Sequence, residues 1–184
     1  MISNFLKRIF YSLKIETSLY EEIQNKNFTI FESITLAFLA GLSNALVYKK
    51  YFETLEISIV FPFLFLIIIW FFINWFLLSF IINFVGYKIF PEGIKKSKSK
   101  NVLRSIGYSY TPEFLKVLIL FFPQIIQALS WSSFIWVIAC QVVMVKTVFK
   151  FKSGWKSLGV LVLSYIFQIL IVILFLIIIF NLSK

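Results

Sequence analysis

The sequence predicts an all-α integral membrane protein. The expected fold is a five-helix transmembrane bundle, with spans at about 29–48, 57–85, 112–128, 131–148 and 157–182, preceded by a short amphipathic helix within residues 1–28. Three observations lead there. Apolar residues make up 60% of the 184 and charged residues only 14%, against roughly 45–50% and 25% in soluble domains. Four uncharged stretches (33–48, 57–87, 117–145 and 157–183) approach or exceed the about 20 residues that a spanning helix needs. The 18 cations are spread unevenly between the two sides that such spans create.

The elements follow in order. Ile2, Phe5, Leu6, Ile9, Phe10 and Leu13 gather on one helical face, with Asn4, Lys7 and Arg8 opposite. This helix lies either in the cytoplasmic lipid interface or on the bundle's own end. Ser18 and Glu21 suggest a second short capped helix, and Thr29 with Glu32 has the spacing of a capping box at the start of the first span. The second and last spans are single long helices. The 117–145 stretch reads as one helix or as a hairpin. Thr111-Pro112-Glu113 is a strong helix start. Pro123, Gln124 and Gln127 weaken the middle, and Ser130-Trp131-Ser132-Ser133 reads as an interfacial turn.

Charge favours the hairpin. With five spans and the N-terminus inside, 15 cations lie on one side and three (Lys49, Lys50 and Lys184) on the other. With four spans the division falls to 12 against 6. The positive-inside rule therefore predicts five spans, N-terminus inside and C-terminus outside. The same rule accounts for the net charge of +10, and no nucleic-acid motif is present, so nucleic acid is not an expected partner. The basic 86–111 segment is expected to contact lipid headgroups or an acidic protein on the cytoplasmic face.

The chain has no His and no Asp, one Cys and eight Glu. That leaves no histidine triad, disulfide scaffold or His/Cys metal cluster, and no enzyme, metal or cofactor is expected. Glu113 and Lys116, one turn apart, are expected near the cytoplasmic end of the third span, with Glu113 capping it or relaying protons. The intramembrane amides Asn44, Asn74, Gln124 and Gln127 need partners and should face other helices. Ala37, Gly41 and Ala45 form a small-residue stripe suited to an internal contact or a homo-oligomer seam. Cys140 is expected to pack.

Arg104 and the run Gly107-Tyr108-Ser109-Tyr110-Thr111-Pro112 resemble the Gly-Tyr-x-x-x-Pro approach to the third span in the Yip-domain family, the Ypt/Rab-interacting membrane proteins. Leu19-Tyr20-Glu21-Glu22-Ile23 followed by 28–46 is similar to that family's first span and its approach. Trp131 after Pro123, and 144–156 leading into the last span through Trp155 and Lys156, also fit. The resemblance implies a five-span bundle with a cytosolic N-terminus and, as in eukaryotic members, a membrane-organising adaptor. It carries over Tyr108 and Pro112 as motif positions. The acidic Asp-Leu-Tyr-Gly-Pro motif of eukaryotic members is missing, and the sequence looks more like the short prokaryotic ones. The expectation is thus an adaptor in a bacterial cytoplasmic membrane, with lipid as its solvent. The competing expectation, from the amides and from Pro62 and Pro123, is a small transporter or channel subunit.

Overall fold

The computed structural model describes residues 2–24, 29–51, 57–91 and 99–182. The elements are α1 (Ile2–Leu13), α2 (Thr17–Gln24), α3 (Thr29–Tyr51), α4 (Ile57–Phe84), α5 (Ser99–Ser109), α6 (Ile126–Phe149) and α7 (Gly154–Leu182). A π turn, Val85–Ile89, closes α4, and a 3-10 arm, Thr111–Leu120, joins α5 to α6 through a second short turn at Pro123–Ile125. No strand occurs among the described residues. Part of the basic loop, including Lys95, Lys96 and Lys98, lies outside them.

Four segments are long and apolar enough to cross a membrane: Thr29–Tyr48, Ile59–Ile89, Pro123–Phe149 and Gly154–Asn181. The expected third span at 112–128 is not a full α-helix. Its ten-residue 3-10 arm rises about 2 Å per residue, or about 20 Å, short of the roughly 30 Å hydrocarbon core. It lies between α3 and α6 and turns back where Pro123 forces Phe122 out of helical geometry (φ −132°, ψ 67°).

The expected turn at Ser130–Ser133 is therefore misplaced by several residues. Those residues lie inside α6, where Ser133 Oγ donates to the Ser130 carbonyl at 3.1 Å. A serine that bonds back to its own turn leaves the helix intact, whereas a proline removes a donor and clashes with the preceding turn.

The core occupies one end of the bundle. Leu36, Ala37 and Ala40 of α3 meet Trp75, Leu78, Ile82 and Val85 of this α4 end, Ile106 and Tyr108 of α5, Met144 and Val148 of α6, and Val160 and Leu161 of α7. Gly41 lets α3 approach α4, because a Cβ there would stand 3.3 Å from Phe71 Cβ and 3.5 Å from the Ile68 backbone. The Ala37–Gly41–Ala45 stripe is buried inside the chain. The far half of α7 is the opposite: Ile169, Leu174, Phe175, Ile178 and Phe180 are all about half exposed or more. Such a surface needs lipid as its solvent.

Two helices end with a non-glycine residue in the left-handed region, Ile15 (φ 59°) after α1 and Lys150 (φ 56°) after α6. Both ends are Schellman motifs. After α6, the Phe151 N–H reaches the Lys146 carbonyl at 3.0 Å and the Lys150 N–H reaches Thr147 at 3.3 Å. A Cβ in this conformation costs roughly 1–2 kcal/mol. Lys150→Gly should accordingly raise the thermal midpoint by a few degrees, for a gain of about 1 kcal/mol; a lowered midpoint in a detergent melt would refute the assignment.

Candidate functional site

Two polar clusters stand out, one at each level of the motif region. The first builds a cap at the core end of the bundle. Its centre is Arg8, 3% exposed although it lies on a short N-terminal helix. The guanidinium forks onto Glu32 of α3, with Nη1 at 2.7 Å from Oε1 and 2.8 Å from Oε2, and onto Glu22 of α2 at 3.3 Å. The Tyr108 hydroxyl donates to the same Glu32 carboxylate. Burial works against the charged guanidinium, but the Glu32 bonds and charge outweigh it and raise its pKa. Burial, then the hydrogen bond and charge of Glu32, push the Tyr108 phenol well above its ordinary range. Both groups hold their protons across physiological pH.

The rest of α1 is fixed by its C-terminal turn. Ser12 Oγ donates to the Tyr108 carbonyl at 2.6 Å, and the Thr111 hydroxyl stands 2.9 Å from Ser12 Oγ. The open carbonyls at the end of α1 accept from α6: Trp136 Nε1 donates to Leu13 at 3.1 Å and the Cys140 thiol to Ser12 at 3.5 Å. The helix therefore packs on the bundle through Phe5 and Ile9 of its apolar face and through Arg8 and Ser12, Arg8 from the side expected to be polar. Leu6 and Phe10 remain exposed, with Lys14 over the Phe10 ring at 4.5 Å.

The motif residues explain their own spacing here. Gly107 lies against α3, where a Cβ would meet Ser33 Cβ at 2.6 Å and its Cα and carbonyl oxygen at 2.7 Å. Ser33 Oγ donates to the Arg104 carbonyl across the same contact. Tyr108 then reaches Glu32, Tyr110 packs its ring edge on Phe71 with centroids 4.9 Å apart, and Pro112 opens the 3-10 arm. Glu32 is thus tied to Arg8 and Tyr108 across the cap, in addition to sitting in the first turn of α3.

The second cluster is deeper. Asn44 lies 15 residues into α3, about 22 Å from its start. Its Nδ2 donates to Glu113 Oε2 at 2.7 Å, and its Oδ1 accepts from Lys116 Nζ at 2.8 Å. Lys116 and Glu113 form an ion pair at 2.5 Å. Both are more than nine-tenths buried. Glu113 lies in the first turn of the arm, as a capping residue would, but its Oε2 is bonded to Asn44 and Lys116. A second amide pair bridges α4 and α7, Gln168 Nε2 donating to Asn74 Oδ1 at 2.7 Å. Tyr165 donates to Gln141 Oε1 at 2.7 Å, while Gln141 Nε2 has no partner among the described residues. Asn44, Glu113, Lys116, Asn74, Tyr165 and Gln168 border a cavity of about 480 Å³. Gln124 and Gln127 lie elsewhere, exposed at the far turn.

Sequence reasoning missed Arg8 as a buried anchor and Glu113–Lys116 as a deep pair. The available signal was scarcity: with eight carboxylates in the whole chain, each one near a membrane segment has few roles open to it. Among the described residues no group of His, Cys, Asp and Glu could hold a metal ion.

A groove of about 680 Å³ runs between α2 and the end of α6, lined by Thr17, Glu21, Gln24, Lys146, Lys150 and Phe151, among others. Three comparisons with known proteins bear on the chain. The family model described as Yip1 domain matches residues 20–177. No curated protein and no solved structure matches.

Proposed function

Because this chain belongs to the Yip1-domain family of membrane proteins, we propose that it is a non-enzymatic adaptor that holds a rigid cytoplasmic cap on a multi-pass anchor. The family is not an enzyme family. The observation that carries the reading is the Arg8–Glu22–Glu32–Tyr108 lock. It spends a buried guanidinium, a costly group to desolvate, on fixing two short helices against the bundle. A fixed cap gives a partner a preorganised surface, which lowers the ordering cost of binding.

In this reading the anchor passes the membrane five times, the 3-10 arm making a short pass that the bilayer meets by local thinning and α6 making the return. The charge division supports it, 14 cations against 3 once Lys116, buried beside Asn44, is set aside, as does the meeting of the α6 end with the α4 end, where the Phe149 ring covers Gly86. The cap then faces the cytoplasm and the end of α7 the outside of a bacterial cytoplasmic membrane.

The partner surface is the α2–α6 groove. Lys146 and Lys150, against the one acid Glu21 in its lining, leave it net positive and complementary to an acidic peptide segment. A photoreactive side chain at Thr147, in the full-length protein in its own membrane, should give one discrete protein adduct. Lys146→Glu with Lys150→Glu should reduce that adduct at least tenfold while the melting profile is kept. Adducts to lipid alone, or a protein adduct indifferent to both substitutions, would contradict the adaptor.

A further inference from the structure

A buried ion pair without a structural need for its charges is a functional suspect in a membrane protein, and the Glu113–Lys116–Asn44 cluster is not used by the cap. Replacing such a pair with apolar side chains is often neutral or stabilising, so packing alone does not explain it. The pair is also incompletely satisfied. Lys116 Nζ spends two N–H groups on Asn44 and Glu113, leaving a third. Glu113 Oε2 takes both bonds of its carboxylate, and among the described residues Oε1 has no hydrogen-bond partner. Side by side, the cation keeps one N–H to donate and the anion one oxygen to accept.

The cavity they border has a polar floor and an apolar mouth. Glu113, Lys116, Asn44, Asn74 and Gln168 form the floor. Trp70, Phe134, Ile169 and Ile173 form the mouth, each about half exposed. An apolar trough of about 240 Å³ between α4 and α7 adjoins it, sharing Trp70, Asn74 and Val172. Asn44 is seven residues, about 10 Å, from the described end of α3, within reach of a headgroup drawn in from the leaflet at that end.

We propose that this cavity binds the headgroup of an aminophospholipid, with the acyl chains running along the α4–α7 trough. The chemistry selects the headgroup. A primary ammonium donates to Glu113 Oε1 while the phosphate accepts from Lys116 Nζ, so a zwitterion mirrors the ion pair. A choline headgroup has a quaternary nitrogen with no N–H to donate, and a glycerol headgroup has no cation. The occupant is a lipid rather than a soluble zwitterion because the mouth is apolar and the trough is continuous with it.

The test is native mass spectrometry of the full-length protein released from nanodiscs containing equal parts phosphatidylethanolamine, phosphatidylcholine and phosphatidylglycerol. The wild type should retain phosphatidylethanolamine at least fivefold over either of the others. Glu113→Gln removes the anion and should abolish that preference. Ile173→Trp fills the mouth from a half-exposed wall position without touching the ion pair, and should lower retention at least fivefold even if Glu113→Gln fails to fold. Equal retention of the three lipids by the wild type would overturn the proposal, as would a preference that survives Ile173→Trp. Displacement of the lipid by O-phosphoethanolamine at equal concentration would overturn it in favour of a soluble ligand, the behaviour of a small transporter.

Discussion

Gly107→Ala should unfold the contact between α5 and α3, at a cost of about 3 kcal/mol, the upper end of the range for overpacking. The added Cβ would lie 2.6 Å from Ser33 Cβ and 2.7 Å from Ser33 Cα and carbonyl oxygen. Backbone cannot rotate away as a side chain can. Relief requires α5 to move off α3, and that shift breaks the bond from Ser33 Oγ to Arg104 and the reach of Tyr108 to Glu32. Gly86→Ala is the internal comparison. Its Cβ would meet the far end of the Phe149 ring at 2.6–2.9 Å, a side chain with some freedom to tilt, so the loss should be smaller by about 1 kcal/mol. Thermal melts of the two variants in one detergent decide the order. A Gly107→Ala protein as stable as wild type would mean that the motif glycine is not at a helix contact.

Arg8→Met should cost about 3 kcal/mol, the lower end for breaking a buried ion pair. The arginine is nearly inaccessible, and its removal leaves the Glu32 carboxylate, 14% exposed, beside Tyr108 with no cation. Glu22, about one-third exposed, can turn to water, so it contributes less. Lys in place of Arg should recover only part of the loss, since Arg8 meets Glu32 with Nη1 and Glu22 with Nε and Nη2, whereas lysine has one nitrogen for both carboxylates. Hydrogen exchange gives a second readout. In Arg8→Met the amides of α1 should exchange near the rate of a free helix, while those of α6 stay protected. Protection of α1 equal to wild type would show that the arginine does not hold it.

How much of this was legible in the sequence depends on the length scale of the interaction. The start of α3 at Thr29 and the long α4 and α7 follow from local composition, and each is found where it was expected. Charge pointed to a hairpin within 112–148 but could not place its turn. Ser130–Ser133 and Phe121–Pro123 both look like breaks in one dimension, and only proline carries an unavoidable steric one. On α1 the apolar residues Phe5 and Ile9 do pack against the core, but Arg8 was misplaced, for a different reason. Helical periodicity assigns Arg8 to solvent, yet the two carboxylates that bury it come from α2 and α3, 14 and 24 residues on. No periodicity within α1 encodes them. The depth of Glu113 was hidden because it is set by long-range packing, which lays the start of the arm beside Asn44 of α3 and Phe71 of α4. The partners Asn44 and Lys116 then make the acid tolerable there.

The cap is the centre of this account, and the coupling between Arg8 and Glu32 tests it most directly. A double-mutant cycle with Arg8→Met, Glu32→Gln and the pair, measured by reversible denaturation of the full-length protein in mixed micelles, isolates their interaction. The expected coupling is about 2 kcal/mol or more, with the double variant barely less stable than Arg8→Met alone. Additivity within about 0.5 kcal/mol would contradict it, because α1 would then rest on the bundle without the lock that makes the cap rigid.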